Sequence, residues 1–273
     1  MNWLGLEGKV AIVTGGAAGI GKACCEAFAQ VGVKVVIADV NADTGNATVS
    51  EFMKKKYKAD AIFATVDVTN KKSVDAMIVT TLETFGRVDI LLNNAGILIP
   101  RLLVDPAGKE ELTEQILDKM IAINQKGYFL CAQAAAREMI KSGKGGVIFN
   151  MSSESGLEGS EGQSVYAATK CAAYSMTRSW AKELGKHKIR VVGIAPGIME
   201  ATALRTDEYE RAVAYTRGIT VEQLRAGYAK MSIPLGRSGK LSEVADTICF
   251  LASDRAGYIH GTTINISGGK SRG

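Results

Sequence analysis

Ser153, Tyr166 and Lys170 are the residues of this chain whose types and spacing point to proton transfer. Tyr166 and Lys170 stand four apart in a helical pattern over 164–185, so their side chains share a face. An ammonium near a phenol favours the phenolate and lowers the phenol's pKa. A tyrosine tuned in this way donates or accepts a proton near neutral pH. An ordinary surface i,i+4 pair has the same spacing, so the pair takes its meaning from its company. Ser153 lies thirteen residues before Tyr166, and Ser152 competes with it at fourteen.

A second group of residues suits a phosphate. TGGAAGIG at 14–21 lies between an apolar, β-branched run and a helical pattern. Gly15, Gly19 and Gly21 let the backbone turn sharply and approach a pyrophosphate, while the helix N-terminus offers free N–H groups and a positive dipole end. A tight turn alone also uses such glycines. Asp39 ends the next apolar run, within a few residues of the roughly 20-residue spacing of a ribose-binding acid. It also suits a turn or a helix cap. A carboxylate there accepts both ribose hydroxyls of NAD and repels the 2′-phosphate of NADP. The glycine loop has no Arg and Val40 follows Asp39, so the expected cofactor is NAD.

The elements that must position these residues follow from periodicity. Short apolar runs at 9–14, 33–39, 59–67, 88–96, 145–153, 189–197 and 262–267 read as buried strands. Helical patterns fill the gaps, notably 20–31, 111–140, 164–185 and 241–252. This rhythm predicts βαβ units: one α/β domain over 1–273, with a Rossmann-type doubly wound parallel sheet. Residues 198–240 break the rhythm with amphipathic helical sequence, a substrate lid where such sheets bind ligands.

In this setting the chain resembles the short-chain dehydrogenase/reductase family. TGGAAGIG matches that family's TGxxxGxG loop, NNAG at 93–96 its fourth-strand motif, YAATK at 166–170 its YxxxK, and APG at 195–197 the PG motif after the sixth strand. The matches run in order from residue 9 to residue 269. The resemblance implies an NAD-dependent enzyme that interconverts a secondary alcohol and a ketone. It makes Tyr166 the general acid/base, with Ser153 hydrogen-bonding the substrate oxygen. Lys170 holds the nicotinamide ribose and lowers the tyrosine pKa, and Asn124 positions a water that extends the proton relay. It also brings Ile20 of the glycine loop, Asp67, Val68, Asn94, Ala95, Gly96, Pro196, Gly197 and Ile198 to the cofactor, with Asn93 stabilising the sheet. One position departs from the pattern: Ala201 stands where the family has a cofactor-contacting Thr, and Thr202 comes one residue later.

Fold does not choose a substrate. Between Arg205 and Lys240 seven basic residues (Arg205, Arg211, Arg217, Arg225, Lys230, Arg237, Lys240) outnumber four acids (Asp207, Glu208, Glu210, Glu222). Guanidiniums there can clamp a phosphate or carboxylate, although a salt-bridged solvated helix pair has the same composition. The segments NWLGLEGKVAIVTGGAAGIGKA, ATALRTDEYERAVAYTRGIT and SIPLGRSGKLSEV resemble a bacterial branch of the family acting on D-sorbitol 6-phosphate and D-fructose 6-phosphate. Arg205 then meets the anion, and Glu154 with Glu158 meets polyol hydroxyls. Another polyol or a 3-hydroxyacyl compound is the alternative substrate. A non-catalytic NAD-binding regulatory protein is the alternative class.

Bulk composition bounds the rest. The 273 residues are 47 % hydrophobic and 22 % charged, enough for a substantial core, and 30 Gly against 4 Pro favour tight turns over linkers. The net charge of +5 is dispersed, its tightest run being Lys54-Lys55-Lys56, so no nucleic-acid partner is expected. No uncharged apolar stretch of about 18 residues spans a bilayer, and Met1–Lys9 lacks a signal-peptide pattern. Five cysteines without a CxxC suggest buried thiols in the cytoplasm, and neither disulfides nor a metal site. The resemblance further implies a homodimer or homotetramer pairing through 111–140 and 164–185. Small residues such as Ala134, Ala135, Ala136, Ala172 and Ala173 suit that pairing, and equally suit packing within one subunit.

Overall fold

The computed structural model describes residues 3–55, 57, 59–202, 205–229 and 233–271. Lys230, counted above among the basic residues, lies outside them. The described strands are β1 (Val10–Thr14), β2 (Lys34–Asp39), β3 (Ala61–Thr65), β4 (Ile90–Asn93), β5 (Gly146–Met151), β6 (Ile189–Pro196) and β7 (Thr263–Ile266). They form one sheet in the order β3-β2-β1-β4-β5-β6-β7, every pairing parallel. The expected doubly wound α/β architecture is therefore observed.

Period-2 alternation sends successive side chains to opposite faces, so each strand feeds two cores. Ala11, Val13, Ile37, Leu92 and Phe149 join one core, while Ile12, Val36, Leu91 and Ile148 join the other. The first core is closed by α1 (Gly19–Gln30) and α10 (Leu241–Ala252), through residues such as Phe28 and Ile248. On the opposite face α3 (Lys71–Phe85) and α5 (Gly127–Ser142) pack with Met77 and Met139. Helix α2 (Ala42–Lys55) packs beside β3, the single turn α6 (Ser155–Glu158) follows β5, and α7 (Ser164–Leu184) runs along β5 and β6.

The pattern read as one helix over 111–140 is interrupted. Thr113 caps α4 (Glu114–Ile121) by accepting the Ile116 N–H, and a π-helical turn over Ala122–Lys126 precedes α5. Such widened turns recur where a helix serves a site. Asn124 sits inside this one. The segment between β6 and α10 carries α8 (Asp207–Thr216) and α9 (Val221–Ala229), as its amphipathic pattern predicts. No helix among the described residues is long and apolar enough to cross a membrane.

After β1 the chain turns out to β2 and β3, and it later returns to place β4 on β1's other side. The sheet order reverses at this β1–β4 pair, which opens a crevice at the carboxyl ends of the strands. Thr14, Asp39, Asn93, Met151 and Pro196 end their strands along that rim.

Candidate active site

The rim begins at Thr14. Its hydroxyl donates to Leu92 O (3.2 Å) and accepts the N–H groups of Asn94 (3.0 Å) and Ala95 (3.1 Å). The Asn94 amide donates back to Thr14 O (3.0 Å) and Gly15 O (3.1 Å). Gly15 and Gly19 then adopt left-handed φ values of +64° and +54°, which side chains with a Cβ resist. A Cβ on Gly21 would run into the Gly15 carbonyl and stand 2.6 Å from the Asn94 amide nitrogen. Ala18 gives α1 no side-chain cap, and no acid occupies the helix's first turn. The loop is thus a bare backbone cradle at a positive helix end, which fits a pyrophosphate. Ile20 belongs to the first turn of that helix.

Asp39 faces this cradle, accepting the Ala17 N–H (3.2 Å) and the Asn41 N–H (3.1 Å). Val40 beside it is exposed. Asp67, past the end of β3, turns its carboxylate to the N–H (2.9 Å) and hydroxyl (2.7 Å) of Thr69. Val68 is buried, and a Cβ on Gly127 would stand 2.8 Å from it. Asn93 is fully buried and donates to Asn150 Oδ1 (3.0 Å) and Tyr128 O (3.3 Å), so it stiffens the sheet. Thr202 lies over the glycine loop, its Cβ 3.7 Å from where Gly19 would carry one, despite its one-residue offset.

The two serines separate cleanly. Ser152 is buried and donates to Lys170 O (2.8 Å), away from the crevice. Ser153 hydrogen-bonds the Tyr166 phenol and accepts from the Ser155 hydroxyl (3.0 Å) and N–H (3.3 Å). Lys170 is buried, with Nζ 5.6 Å from the centre of the Tyr166 ring. It donates to Met151 O (2.8 Å) and to the Tyr128 hydroxyl (3.0 Å). A Cβ on Gly96 would stand 3.3 Å from Asn124 Oδ1 and 3.6 Å from Lys170 Nζ, so the missing side chain leaves a recess against both.

Both ends of the Asn124 amide are committed. Its oxygen accepts the Ile97 N–H (2.8 Å), and its nitrogen donates to Ile97 O (2.9 Å) and Thr169 Oγ1 (3.1 Å). Asn124 and Lys170 thus border one recess, with Tyr166 beside Lys170 and Ser153 beside Tyr166.

Electrostatics correct one expectation. Burial pushes the Tyr166 phenol up to about 12, the Ser153 hydrogen bond draws it back, and Tyr209 on α8 adds to the rise. Burial also draws Lys170 down to about 7. The expected lowering of the phenol is therefore not its net state here, because desolvation penalises phenolate and ammonium alike.

At the far rim, Gly197 follows β6 and donates its N–H to Ile266 O (3.0 Å). Ile198 accepts the Gly239 N–H through its carbonyl (3.0 Å). Glu154 is buried. Its N–H donates to Pro196 O (3.2 Å) and its Oε1 accepts from Lys270 (2.5 Å). Its Oε2 is buried without a hydrogen-bond partner among the described residues, 3.0 Å from where Gly197 would carry a Cβ. Glu158 is exposed on the surface.

The expected clamp of free guanidiniums is altered. Arg205 Nε donates to Glu210 (2.7 Å), whose other oxygen accepts from Arg225 (2.7 Å), and Arg225 also reaches Asp207 (3.0 Å). Arg237 is held by Glu243. Acids within or beside the segment thus take up much of its positive charge. Tyr128, Tyr209 and Lys270 reach the site without having been singled out in sequence. Tyr128 carried one signal, being four residues beyond Asn124.

The model of the short chain dehydrogenase family matches residues 9–212. The chain is 53 % identical to the sorbitol-6-phosphate 2-dehydrogenase of Klebsiella pneumoniae, covering 100 % of this chain and 99 % of that one. It is 38 % identical to a 3-oxoacyl-[acyl-carrier-protein] reductase of Thermotoga maritima, covering 97 % and 98 %. Among solved structures, levodione reductase superposes with a TM-score of 0.85 at 30 % identity, covering 97 % and 98 %.

The cradle's tolerance can be measured. Gly21→Ala should lower stability by about 2 kcal/mol, since the added methyl meets backbone that cannot move aside. Urea unfolding reads this directly, and an unchanged midpoint would contradict the fit described for Gly21.

Proposed function

Since the chain belongs to the short-chain dehydrogenase family, oxidoreductases acting on CH–OH groups, we propose that it interconverts D-sorbitol 6-phosphate and D-fructose 6-phosphate with NAD. The observation supporting the chemistry is the chain of contacts from Ser153 to Tyr166 to Lys170, which borders the recess left by Gly96. The full-length 53 % identity to a sorbitol-6-phosphate 2-dehydrogenase supports the choice of substrate.

Gly15, Gly19, Ile20 and Gly21 hold the pyrophosphate in this reading, with Thr202 above them. Asp39 takes the adenosine ribose hydroxyls, and Asp67 with Val68 flanks the adenine. Asn94, Ala95 and Gly96 line the floor, and Pro196, Gly197 and Ile198 the nicotinamide end. When bound, NAD supplies the hydride acceptor. Tyr166 takes the proton of the substrate hydroxyl, and Ser153 hydrogen-bonds the same oxygen. Lys170 holds the nicotinamide ribose beside the Gly96 recess, and its charge near the Tyr166 ring favours the phenolate. Because the Asn124 amide is committed to Ile97 and Thr169, Asn124 serves the relay through the widened turn it fixes, whose backbone holds the water.

The segment 198–240 acts as the lid of a single 1–273 domain. Glu210 engages Nε of Arg205 and so orients the guanidinium toward the phosphate. Glu154 Oε2 accepts from a polyol hydroxyl. We expect a cytoplasmic homodimer or homotetramer. Pairing through α4, α5 and α7 is supported by an apolar groove lined by Ile121, Phe129, Met176 and Trp180.

Four measurements test this reading. Steady-state assays should give a much higher kcat/KM for sorbitol 6-phosphate than for sorbitol, and equal values would overturn the phosphate assignment. Tyr166→Phe should abolish turnover while leaving NAD affinity nearly intact. In the intact enzyme the accepting form of the Tyr166–Lys170 pair is the one that has lost a proton. Alcohol oxidation should therefore rise from about pH 6 to about pH 9, and a falling profile would rule out Tyr166 as base. Finally, Asp39→Ala should erase the preference for NAD over NADP in fluorescence titrations, whereas an unchanged ratio would remove Asp39 from cofactor selection.

A further inference from the structure

We propose that Tyr128 is a positioning residue for Lys170, its hydroxyl accepting one ammonium N–H so that the charged form persists in a buried site. The inference rests on the dehydrogenase reading for its consequence in catalysis, but not for the contact itself.

Tyr128 lies on α5 and is 1 % exposed. Its hydroxyl donates to Met151 O (2.9 Å) and accepts from Lys170 Nζ (3.0 Å), while Nζ also donates to Met151 O (2.8 Å). The three groups form a closed triangle. Because the phenol proton is directed at the Met151 carbonyl, its oxygen lone pairs are presented to the lysine. An ammonium has three N–H groups; two are fixed in this triangle, and the third remains for the Gly96 recess 3.6 Å away. The triangle therefore sets where the lysine's remaining donor points.

The surroundings explain why this contact matters. The titratable groups nearby are Tyr166 on the lysine's own helix, Cys131 next to Tyr128 on α5, and Tyr209 on α8 beyond Tyr166. Burial is what draws Lys170 downward, and no carboxylate among the described residues acts on it. Neutral acceptors must then hold the ammonium, and the side-chain acceptor is Tyr128. Burial drives the Tyr128 phenol well above its ordinary value, so it stays protonated and orients the lysine without ionising.

A hydrogen bond to a charged group shifts a buried equilibrium by about tenfold. Tyr128→Phe keeps the core ring and the cation–π contact, 5.2 Å from Nζ to ring centre, and removes only the hydroxyl. In protein without cofactor, labelled with 13C at lysine Cε, the Lys170 resonance is assigned by its loss in Lys170→Arg. Its titration midpoint should fall by about one pH unit in Tyr128→Phe. The pH profile of alcohol oxidation should move the same way. Replacing Tyr128 with 3-fluorotyrosine, which keeps a weaker acceptor, should give a smaller shift of the same sign and decides the matter if the Phe variant does not fold. An unmoved or raised Lys170 midpoint overturns the proposal. Retained turnover in Tyr166→Phe would instead overturn the dehydrogenase reading, leaving the titration to judge the Tyr128 contact by itself.

Discussion

The hydroxyl of Thr14 ties together two strands whose chains then part. Beyond β1 the backbone enters the glycine loop and α1 on one face of the sheet. Beyond β4 it runs toward Ile97 and the Asn124 turn on the other. One oxygen accepts two N–H groups at the end of β4 and donates to Leu92 O, while Asn94 returns two bonds to Thr14 and Gly15. Were that oxygen absent, two partly buried N–H groups would lose their partner, at a cost of about 1–3 kcal/mol each. The close fit of Gly21 on the Gly15 carbonyl, the reach of Asp39 to Ala17 and the recess at Gly96 all presuppose this register.

A lysine in the core is the second constraint, and it follows from the first. The recess opens beside Gly96 only because β4 ends where Thr14 holds it. Lys170 reaches that recess from α7 by crossing over the end of β5, where Met151 O and Tyr128 receive it. Helix α7 is anchored there by its neighbours: Ser152 bonds the Lys170 carbonyl, Thr169 bonds Asn124, and Thr177 bonds Asn150. These polar contacts run along one stripe of α7 and fix both its rotation and its height on the sheet. A charge that costs several kcal/mol to desolvate is tolerated because its acceptors are already in place.

Much of this was legible along the chain. The strands were readable because each is an apolar run buried on two faces, and Tyr166–Lys170 because helical periodicity fixes i,i+4 neighbours. Spacing alone did not separate Ser152 from Ser153; the structure turns them opposite ways as the chain leaves β5, Ser152 to the Lys170 carbonyl and Ser153 to the Tyr166 phenol. Tyr128 was not legible as a partner of Lys170: the two are 42 residues apart, and their contact depends on how far α5 and α7 sit from β5. The break in the 111–140 pattern was hidden too, since a π-turn preserves the apolar stripe while inserting one residue. Charge counting failed most clearly. Arg205 and Arg225 counted toward the segment's basic excess, yet helical spacing and the fold pair them with Asp207 and Glu210.

That pairing changes what the 198–240 segment can contribute to specificity. A lid of unpaired cations would attract any anion, through a field that salt screens. Here Glu210 is buried and held below the ordinary carboxylate range, by Arg225 first and Arg205 second, so it remains charged and keeps both guanidiniums oriented. The segment is also fixed from outside. Tyr215 donates to Asp105, whose carboxylate gathers the Ala107, Lys109 and Glu110 N–H groups, and Leu235 donates its N–H to Gly268 O in the tail that carries Lys270 to Glu154. Oriented donors in a braced frame discriminate by geometry, rewarding a ligand whose acceptors match their fork and leaving others with unmatched polar groups. Under the proposed assignment of substrate, selectivity then depends on how rigidly the ion pairs hold Arg205 and Glu154, and less on how much positive charge the segment carries.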